Sequence, residues 1–186
     1  MVEKTFDKVD FTQNQLPVEE YELCVFKNCD FSNSDISEAV FMDCEFDNCN
    51  LSMVKLNGTA LRDTKFRNCK MLGLRFENCN QIGLSFEFDN CNLSQSSFYR
   101  IKAKRTTFRN LKLHEADFTE SDLSGSLFDN CDLLRTTFEN SVLERTDFQT
   151  SFNYSINPES NRLKKARFSL NGLPGLLGNY DIEIEY

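Results

Sequence analysis

Eight cysteines are the residues of this 186-residue chain best suited to chemistry, since thiols can form disulfides, bind metals or act as nucleophiles. Neighbouring cysteines are at least five residues apart, and no Cys-x2-Cys pair is present to begin a zinc site. This spacing predicts no metal site. The cysteines are Cys24, Cys29, Cys44, Cys49, Cys69, Cys79, Cys91 and Cys131.

The other candidates for catalysis are isolated. His114 is the only histidine, so a His-rich metal site cannot form, and its place in the sequence predicts a solvated surface residue. The serines form no Gly-x-Ser-x-Gly motif, and the glycines form no Gly-x-Gly-x-x-Gly or Walker-type loop. Pairs of carboxylates carry little information in a chain with 29 acidic residues. We therefore expect a protein that is not an enzyme and that needs no cofactor.

A bulky apolar residue recurs at every fifth position along the chain. The local structure that this period specifies must position the side chains named above. One run of such central residues extends from Phe6 to Phe76, and a second run, shifted by two residues, extends from Phe88 to Phe148. A small residue commonly lies two positions earlier, as Cys24 does. Neither the helical period of 3.6 nor the strand period of 2 gives this spacing, but residues two apart in an extended segment point to the same side. Each unit of five residues therefore predicts one short extended side and a turn.

The units Cys-Asn-Leu-Ser-Gln, Ala-Asp-Phe-Thr-Glu and Ser-Asp-Leu-Ser-Gly resemble the repeat of the pentapeptide repeat proteins, and this resemblance covers residues 6–150. It implies an all-β fold, a right-handed quadrilateral β-helix with one pentapeptide on each side and twenty residues in each coil. Phenylalanines twenty residues apart would then stack, and asparagines two positions after them would form a ladder at a corner. The expected structural core contains Phe26, Phe46, Phe66, Phe88, Phe108, Phe128 and Phe148.

The repeat predicts one β-helix over residues 1–157, with a two-residue irregularity within residues 77–87, because Phe66 and Phe88 are twenty-two residues apart. Every cysteine lies two positions before a step of the five-residue repeat, so we expect buried, free thiols that act as small hydrophobic side chains. Stacked cysteines would be close enough for a disulfide, but parallel side chains and a reducing cytoplasm argue against one. No apolar run of transmembrane length and no signal-peptide core are visible, which predicts a cytoplasmic protein without membrane contact.

Charge forms bands along the chain. The net charge is −9 over residues 1–50, +8 over 51–114, −7 over 115–157 and zero over 158–186. The third band predicts an outward-facing acidic surface that binds a partner. Its acids are Glu115, Asp117, Glu120, Asp122, Asp129, Asp132, Glu139, Glu144 and Asp147. Because acidic bands flank the basic band on both sides, we expect no direct binding of nucleic acid.

Residues 158–186 are predicted to form a C-terminal cap and dimerisation segment. Asn157 and Pro158 have the pattern of a helix start, Leu173 to Leu177 predict one helical turn closed by Gly178, and residues 181–186 alternate as a short strand does. An end of the solenoid left uncapped would expose strand edges and core, which favours a homodimer through this end. The expected interface contains Leu173, Leu176, Leu177, Ile182, Ile184 and Tyr186.

The order Ile-Asn-Pro-Glu, a Gly/Leu-rich turn and a terminal strand resembles the ends of the Qnr-type quinolone-resistance proteins and of the microcin B17 immunity protein. This resemblance implies that DNA gyrase is the partner, bound by an acidic rod that mimics DNA and protects the enzyme from quinolones or a peptide toxin. The chain departs from that pattern because it lacks long projecting loops and because its central band is basic. A structural scaffold or regulatory module that binds another protein remains the alternative.

Overall fold

The computed structural model describes residues 1–180 and 182–185, and it is a parallel β-solenoid with a small C-terminal cap. Each strand has three or four residues, because a pentapeptide extends for only that length before the chain turns at a corner. The strands are β1 (Thr5–Asp7), β2 (Glu20–Glu22), β3 (Val25–Lys27), β4 (Val40–Met42), β5 (Glu45–Asp47), β6 (Ala60–Arg62), β7 (Thr64–Arg67), β8 (Phe86–Asp89), β9 (Thr107–Arg109) and β10 (Leu127–Asp129).

The strands stack in two parallel sheets, one with the order β1-β3-β5-β7-β8-β9-β10 and one with the order β2-β4-β6. Phe6 pairs with Phe26, and the same twenty-residue step separates the paired residues of most neighbouring coils. Between β7 and β8 the step is twenty-two, because Phe66 pairs with Phe88. The predicted quadrilateral β-helix with about twenty residues per coil is therefore confirmed.

Each coil passes through four faces in order, and we name the faces by the central residues of the first coil. Face 1 begins with Phe6, face 2 with Phe11, face 3 with Leu16 and face 4 with Tyr21. A later residue belongs to the face of the residue on which it stacks, twenty positions before it or twenty-two across the irregularity. Residues on one face in neighbouring coils are therefore about 4.8 Å apart.

The phenylalanine column of face 1 fills the interior of the rod. Its neighbouring ring centroids are 4.5–6.1 Å apart, and the planes of neighbouring rings differ by only 3–19°. Rings of face 3 meet it edge-on, as Phe118 meets Phe108 at 5.9 Å and 89°. The seven phenylalanines named as the expected core are only 0–2% exposed, and burying each contributes about 1.5–3 kcal/mol.

The corners of the solenoid require left-handed backbone. The residue two positions after a central residue repeatedly has a φ between +49° and +63°, a range that asparagine tolerates better than most side chains. Asn48 donates its amide to Asn28 at 2.7 Å, and Asn130 donates to Asn110 at 2.9 Å. The asparagine ladder predicted at the corner after face 1 is therefore present.

The two additional residues lie on face 4, within residues 81–85. The backbone amide of Asn80 still bonds to the Thr59 carbonyl in the ordinary register, whereas Phe86 already pairs with Thr64 in the shifted one. The chain turns there at Ile82 and Gly83, and the Ile82 side chain is 77% exposed. This turn interrupts face 4, and the three-stranded sheet ends below it at β6.

All eight cysteines are buried and free, as predicted. Seven of the eight thiols, all except that of Cys79, donate to backbone carbonyls of the preceding coil; Cys69 donates to Phe46 at 3.3 Å and Cys131 donates to Phe108 at 3.3 Å. Burial raises the pKa of the Cys131 thiol to about 12. The thiol rather than the nucleophilic thiolate is therefore the form present at neutral pH.

The solenoid continues past the boundary predicted at residue 157. Arg162 and Arg167 still form bridges to Val142 and Asp147 in the coil below. The predicted helix start at Asn157 is wrong, because residues 158–160 form a turn. Asn161 then enters the core, where its amide donates to the Phe138 carbonyl at 2.6 Å and thereby holds the chain in the coil register.

The cap consists of a 3-10 turn at Leu170–Gly172 and a short helix α1 at Pro174–Leu177, which ends at Gly178 as predicted. Gly175 is needed because a Cβ atom there would clash with the Tyr154 carbonyl oxygen. The predicted terminal strand is not formed within one chain, since residues 182–185 have no regular secondary structure. Asp181 and Tyr186 lie outside the described residues. Over the described ranges, neither helix length nor hydropathy reaches what a membrane span requires.

We predict that Phe108→Ala lowers the free energy of unfolding by about 3–5 kcal/mol, because the stacked coils above and below cannot collapse into the cavity. Urea or thermal unfolding followed by circular dichroism would measure the change. The matched control is Phe152→Ala, since Phe152 is 46% exposed and its removal creates no cavity. Equal stabilities of the Phe108→Ala variant and the unmodified protein would contradict the central place of this ring in the core.

Candidate interaction surface

The interior of the rod leaves no room for a ligand. The cavity within the core has a volume of about 10 Å³ and is lined by apolar side chains such as Leu56, Leu61 and Met71. Within residues 1–180 and 182–185, no three or more His, Cys, Asp or Glu side chains are arranged to hold a metal ion. Any functional site in this part of the chain must therefore lie on the outer surface.

The nine acids of residues 115–147 lie on the outer surface, but most are neutralised there. Seven of them form close pairs with a side chain of a neighbouring coil, eighteen to twenty residues away in the sequence; six of these partners are lysine or arginine, and the seventh is His114. Asp117 and Glu139 form no ion pair with the described residues. The seven pairs are Glu115–Arg135 at 3.5 Å, Glu120–Arg100 at 2.7 Å, Asp122–Lys104 at 3.0 Å, Asp129–Arg109 at 3.3 Å, Asp132–His114 at 2.6 Å, Glu144–Arg162 at 2.6 Å and Asp147–Arg167 at 3.0 Å.

The acidic band counted along the chain is therefore not an acidic surface of the rod. Stacking interleaves it with cations from the coil below and from residues 162–167 above. Residues 97–168 together carry ten acids and twelve bases, a net charge of +2. Residues 1–96 carry sixteen acids and nine bases, a net charge of −7, so the acidic excess of the rod lies in its N-terminal coils.

Face 4 separates charge along the axis of the rod. Below the turn at Ile82 it carries six acids and, apart from Arg62, no base; the acids are Glu3, Glu19, Glu20, Glu22, Asp43 and Asp63. Above the turn it carries seven cations and two acids, Asp122 and Glu144. We call the cations above the turn the basic strip; they are Lys102, Lys104, Arg105, Arg145, Arg162, Lys164 and Lys165. In the same coils above the turn, face 3 carries more acids than bases. Its acids include Asp117 and Glu139, which form no ion pair with the described residues.

His114 is half-buried rather than solvated, and its Nε2 atom lies 2.6 Å from Oδ2 of Asp132. Burial by itself would raise the pKa of the Asp132 carboxyl. Hydrogen bonds from His114 and Asn153 have the larger combined effect, so this pKa is lower than usual. Burial has the same opposing effect at Asp122, where bonds from Ser124 and Lys104 lower the pKa. Both carboxylates are thus held in the charged form by partners in the folded rod.

The C-terminal end exposes apolar surface. Leu170 is 81% exposed, Leu173 is 41% exposed and Ile184 is 40% exposed, and together with Pro174 and Leu177 they line an open groove of about 300 Å³. Of the other residues predicted at a dimer interface, Ile182 is 54% exposed, Leu176 packs partly against the core, and Tyr186 lies outside the described residues. Sequence reasoning missed Leu170, although a leucine at a corner position after the last phenylalanine is an unusual exposed residue.

We predict that the ion pairs between coils stabilise the rod less at acid pH. The folded-state pKa values of Asp122 and Asp132 are below the ordinary value of 3.8, so their contribution is present above that value and is lost as the pH falls through the folded-state pKa. The measurement is thermal unfolding at a series of pH values from neutral to acid. The loss of stability on acidification should be smaller for the double variant Asp122→Asn with Asp132→Asn than for the unmodified protein.

The control for this pH measurement is Asp117→Asn with Glu139→Gln, which changes the net charge equally and removes no ion pair. Its loss of stability on acidification should match that of the unmodified protein. If both double variants responded alike, total charge rather than pairing between coils would explain the pH dependence.

Comparison with known proteins bears on the fold. Residues 19–87 and 85–153 each match the family described as "Pentapeptide repeat region", and no curated protein sequence matches the chain. A solved structure of a trypsin-treated variant of QnrB1, a plasmid-mediated fluoroquinolone resistance protein, is 19% identical and has a TM-score of 0.64 over 100% of this chain and 97% of its own. Full-length QnrB1 is 21% identical and has a TM-score of 0.51 over 98% of this chain and 99% of its own. At these identities the likeness is one of fold.

Proposed function

The chain belongs to the pentapeptide repeat family, and on that premise we propose that it is a non-catalytic protein that binds DNA gyrase and protects it from quinolones or a peptide toxin. The observation that carries this proposal is the extent of the likeness to QnrB1. It spans 100% of this chain, so it includes the C-terminal cap as well as the repeats. A likeness limited to the repeats would favour any pentapeptide repeat protein equally, since the fold by itself does not define the function.

The acidic surface offered to gyrase lies on the N-terminal coils in this proposal. The acids of residues 115–147 are mostly paired with cations, whereas Glu20, Glu22 and Asp43 form no ion pair with the described residues. They lie on face 4 in neighbouring coils, which are about 4.8 Å apart along the rod. A row of carboxylates at this spacing presents negative charge along an axis, as the phosphates of DNA do.

We expect the purified protein to preserve gyrase supercoiling in the presence of ciprofloxacin, and Glu20→Gln with Glu22→Gln and Asp43→Asn to weaken this protection. Removing three exposed charges lowers electrostatic complementarity to a basic DNA-binding surface. The measurement is a titration of the protein into a supercoiling assay with and without the drug. The control is Asp117→Asn with Glu139→Gln, which removes acids from face 3 and should leave protection intact.

If the unmodified protein neither protected nor inhibited gyrase at any concentration in this titration, the proposal would fail and the scaffold alternative would gain. If the face 4 and face 3 variants lost protection equally, the contact with gyrase would not lie on the N-terminal coils of face 4.

The same proposal includes a homodimer formed through the C-terminal groove. The groove exposes leucine and isoleucine side chains at the end of the rod, where a solenoid must be capped or paired. A second copy related by a twofold axis would cover each groove with the same residues of its partner. Residues 182–185, which form no strand in one chain, would then have backbone available for pairing between copies.

We predict that Leu170→Asp with Leu173→Asp converts the dimer into a monomer, because two charges would be buried in an apolar contact. Light scattering coupled to size-exclusion chromatography measures the mass directly. Leu134→Asp is the matched control, since Leu134 is 42% exposed on face 2 and does not line the groove. A monomeric mass for the unmodified chain at the highest attainable concentration would remove the dimer from the proposal.

A further inference from the structure

The basic strip on face 4 has more cations than its own acids can neutralise. Lys104 pairs with Asp122 at 3.0 Å, and Arg162 pairs with Glu144 at 2.6 Å, which accounts for both acids of the strip. Five cations then form no ion pair and no side-chain hydrogen bond with the described residues. All five are exposed; they are Lys102, Arg105, Arg145, Lys164 and Lys165.

An open groove lies in the middle of this strip. Arg105, Gly125 and Arg145 occupy successive positions at one corner, and the missing side chain of Gly125 leaves a gap between the two arginines. The groove has a volume of about 510 Å³ and is also lined by Lys104, Ser124 and Glu144. Because the Glu144 carboxylate is already bonded to Arg162, the groove presents two free guanidinium groups to an anion.

The strip lacks the features of a protein-binding surface. Its central residues Ala103, Leu123 and Leu143 are all buried, and no aromatic side chain belongs to face 4 at this level. Protein interfaces rely on exposed aromatic and apolar anchors, and single-stranded nucleic acids rely on aromatic stacking. Binding to the phosphate backbone of a duplex, by contrast, requires cations and does not require such anchors. We propose that the basic strip binds the phosphate backbone of duplex DNA without reading its sequence.

The dimensions of the strip agree with this partner. The coil of Lys102 and the coil of Lys164 are three steps apart, or about 14 Å. The major groove of B-DNA is about 12 Å wide, so cations at the two ends of the strip can reach phosphates on both sides of it.

Acids elsewhere on the rod do not prevent this contact. Of the acids of face 4 below the turn, Asp63 lies two coils below the coil of Lys102, about 10 Å away, and Glu20 and Glu22 lie four coils below it, about 19 Å away. Both separations exceed the Debye length of about 8 Å at physiological salt. Asp117 and Glu139 are closer but lie on face 3. The proposal therefore departs from the expectation of no nucleic-acid binding, because that expectation considers charge along the chain rather than on one face.

The test is binding of a fluorescent DNA duplex to the full-length protein, measured by anisotropy over a series of salt concentrations. Five phosphate contacts would give a slope of log K against log salt of about −4.5. Arg105→Gln with Arg145→Gln should weaken binding to every duplex sequence alike and reduce the slope by about two. Circular dichroism would check that the variant remains folded.

The matched control is Lys70→Gln with Lys112→Gln, which removes two exposed cations from face 2 and should leave both affinity and slope unchanged. Three results would overturn the proposal: no binding of the duplex at low salt, equal loss in the two double variants, or tighter binding of polyglutamate than of DNA. The last result would identify an acidic protein as the partner instead. No gyrase is present in this assay, so its outcome is independent of the gyrase proposal.

Discussion

The vertical stacking of coils in register is the constraint on which the rest of this structure depends. Neighbouring rings of the face 1 column lie 4.5–6.1 Å apart and nearly parallel, which requires each coil to repeat the path of the coil below. Backbone hydrogen bonds between coils and the left-handed corners follow from the same repetition. Over the described residues, a rod built in this way has no interior space for a ligand, so a binding site there must lie on its outer surface.

Stacking also makes residues about twenty positions apart the nearest surface neighbours. This explains why most of the acids of residues 115–147 are paired with side chains that belong to other charge bands of the chain. Exposed ion pairs of this kind contribute little to stability individually, about 0–1 kcal/mol each. Their larger effect is on the electrostatic surface, because they cancel an acidic band and leave unpaired charge on face 4.

Face 4 thereby acquires two distinct halves on either side of the turn at Ile82. The acidic half is the surface proposed to meet gyrase, and the basic half is the strip proposed to meet DNA. Both partners are present together wherever gyrase acts, so one rod could contact the enzyme and its substrate on the same face. The likeness to QnrB1 concerns the backbone, whereas this division of charge belongs to the side chains of the present chain.

Much of the fold could be predicted from the sequence because the repeat is local. A central residue every fifth position, a small residue two before it and asparagine at a corner each determine the conformation of a few neighbouring residues, and the coil follows from their repetition. The buried cysteines and the turn within residues 81–85 are consequences of the same pattern. The C-terminal region was harder: Asn157 and Pro158 resemble a helix start, but Asn161 binds in the core and keeps the chain in the solenoid.

The charge of the surface was decided by the tertiary structure. Counting charge along the chain placed Asp122 and Glu144 in an acidic band, but folding places them beside Lys104 and Arg162. Position in a sequence measures distance along one dimension, whereas the electrostatic field depends on distance in three. The sequence by itself determined that the chain is a four-sided rod with a phenylalanine core; which of its charges remain unpaired, and on which face, depends on the stacking of the coils.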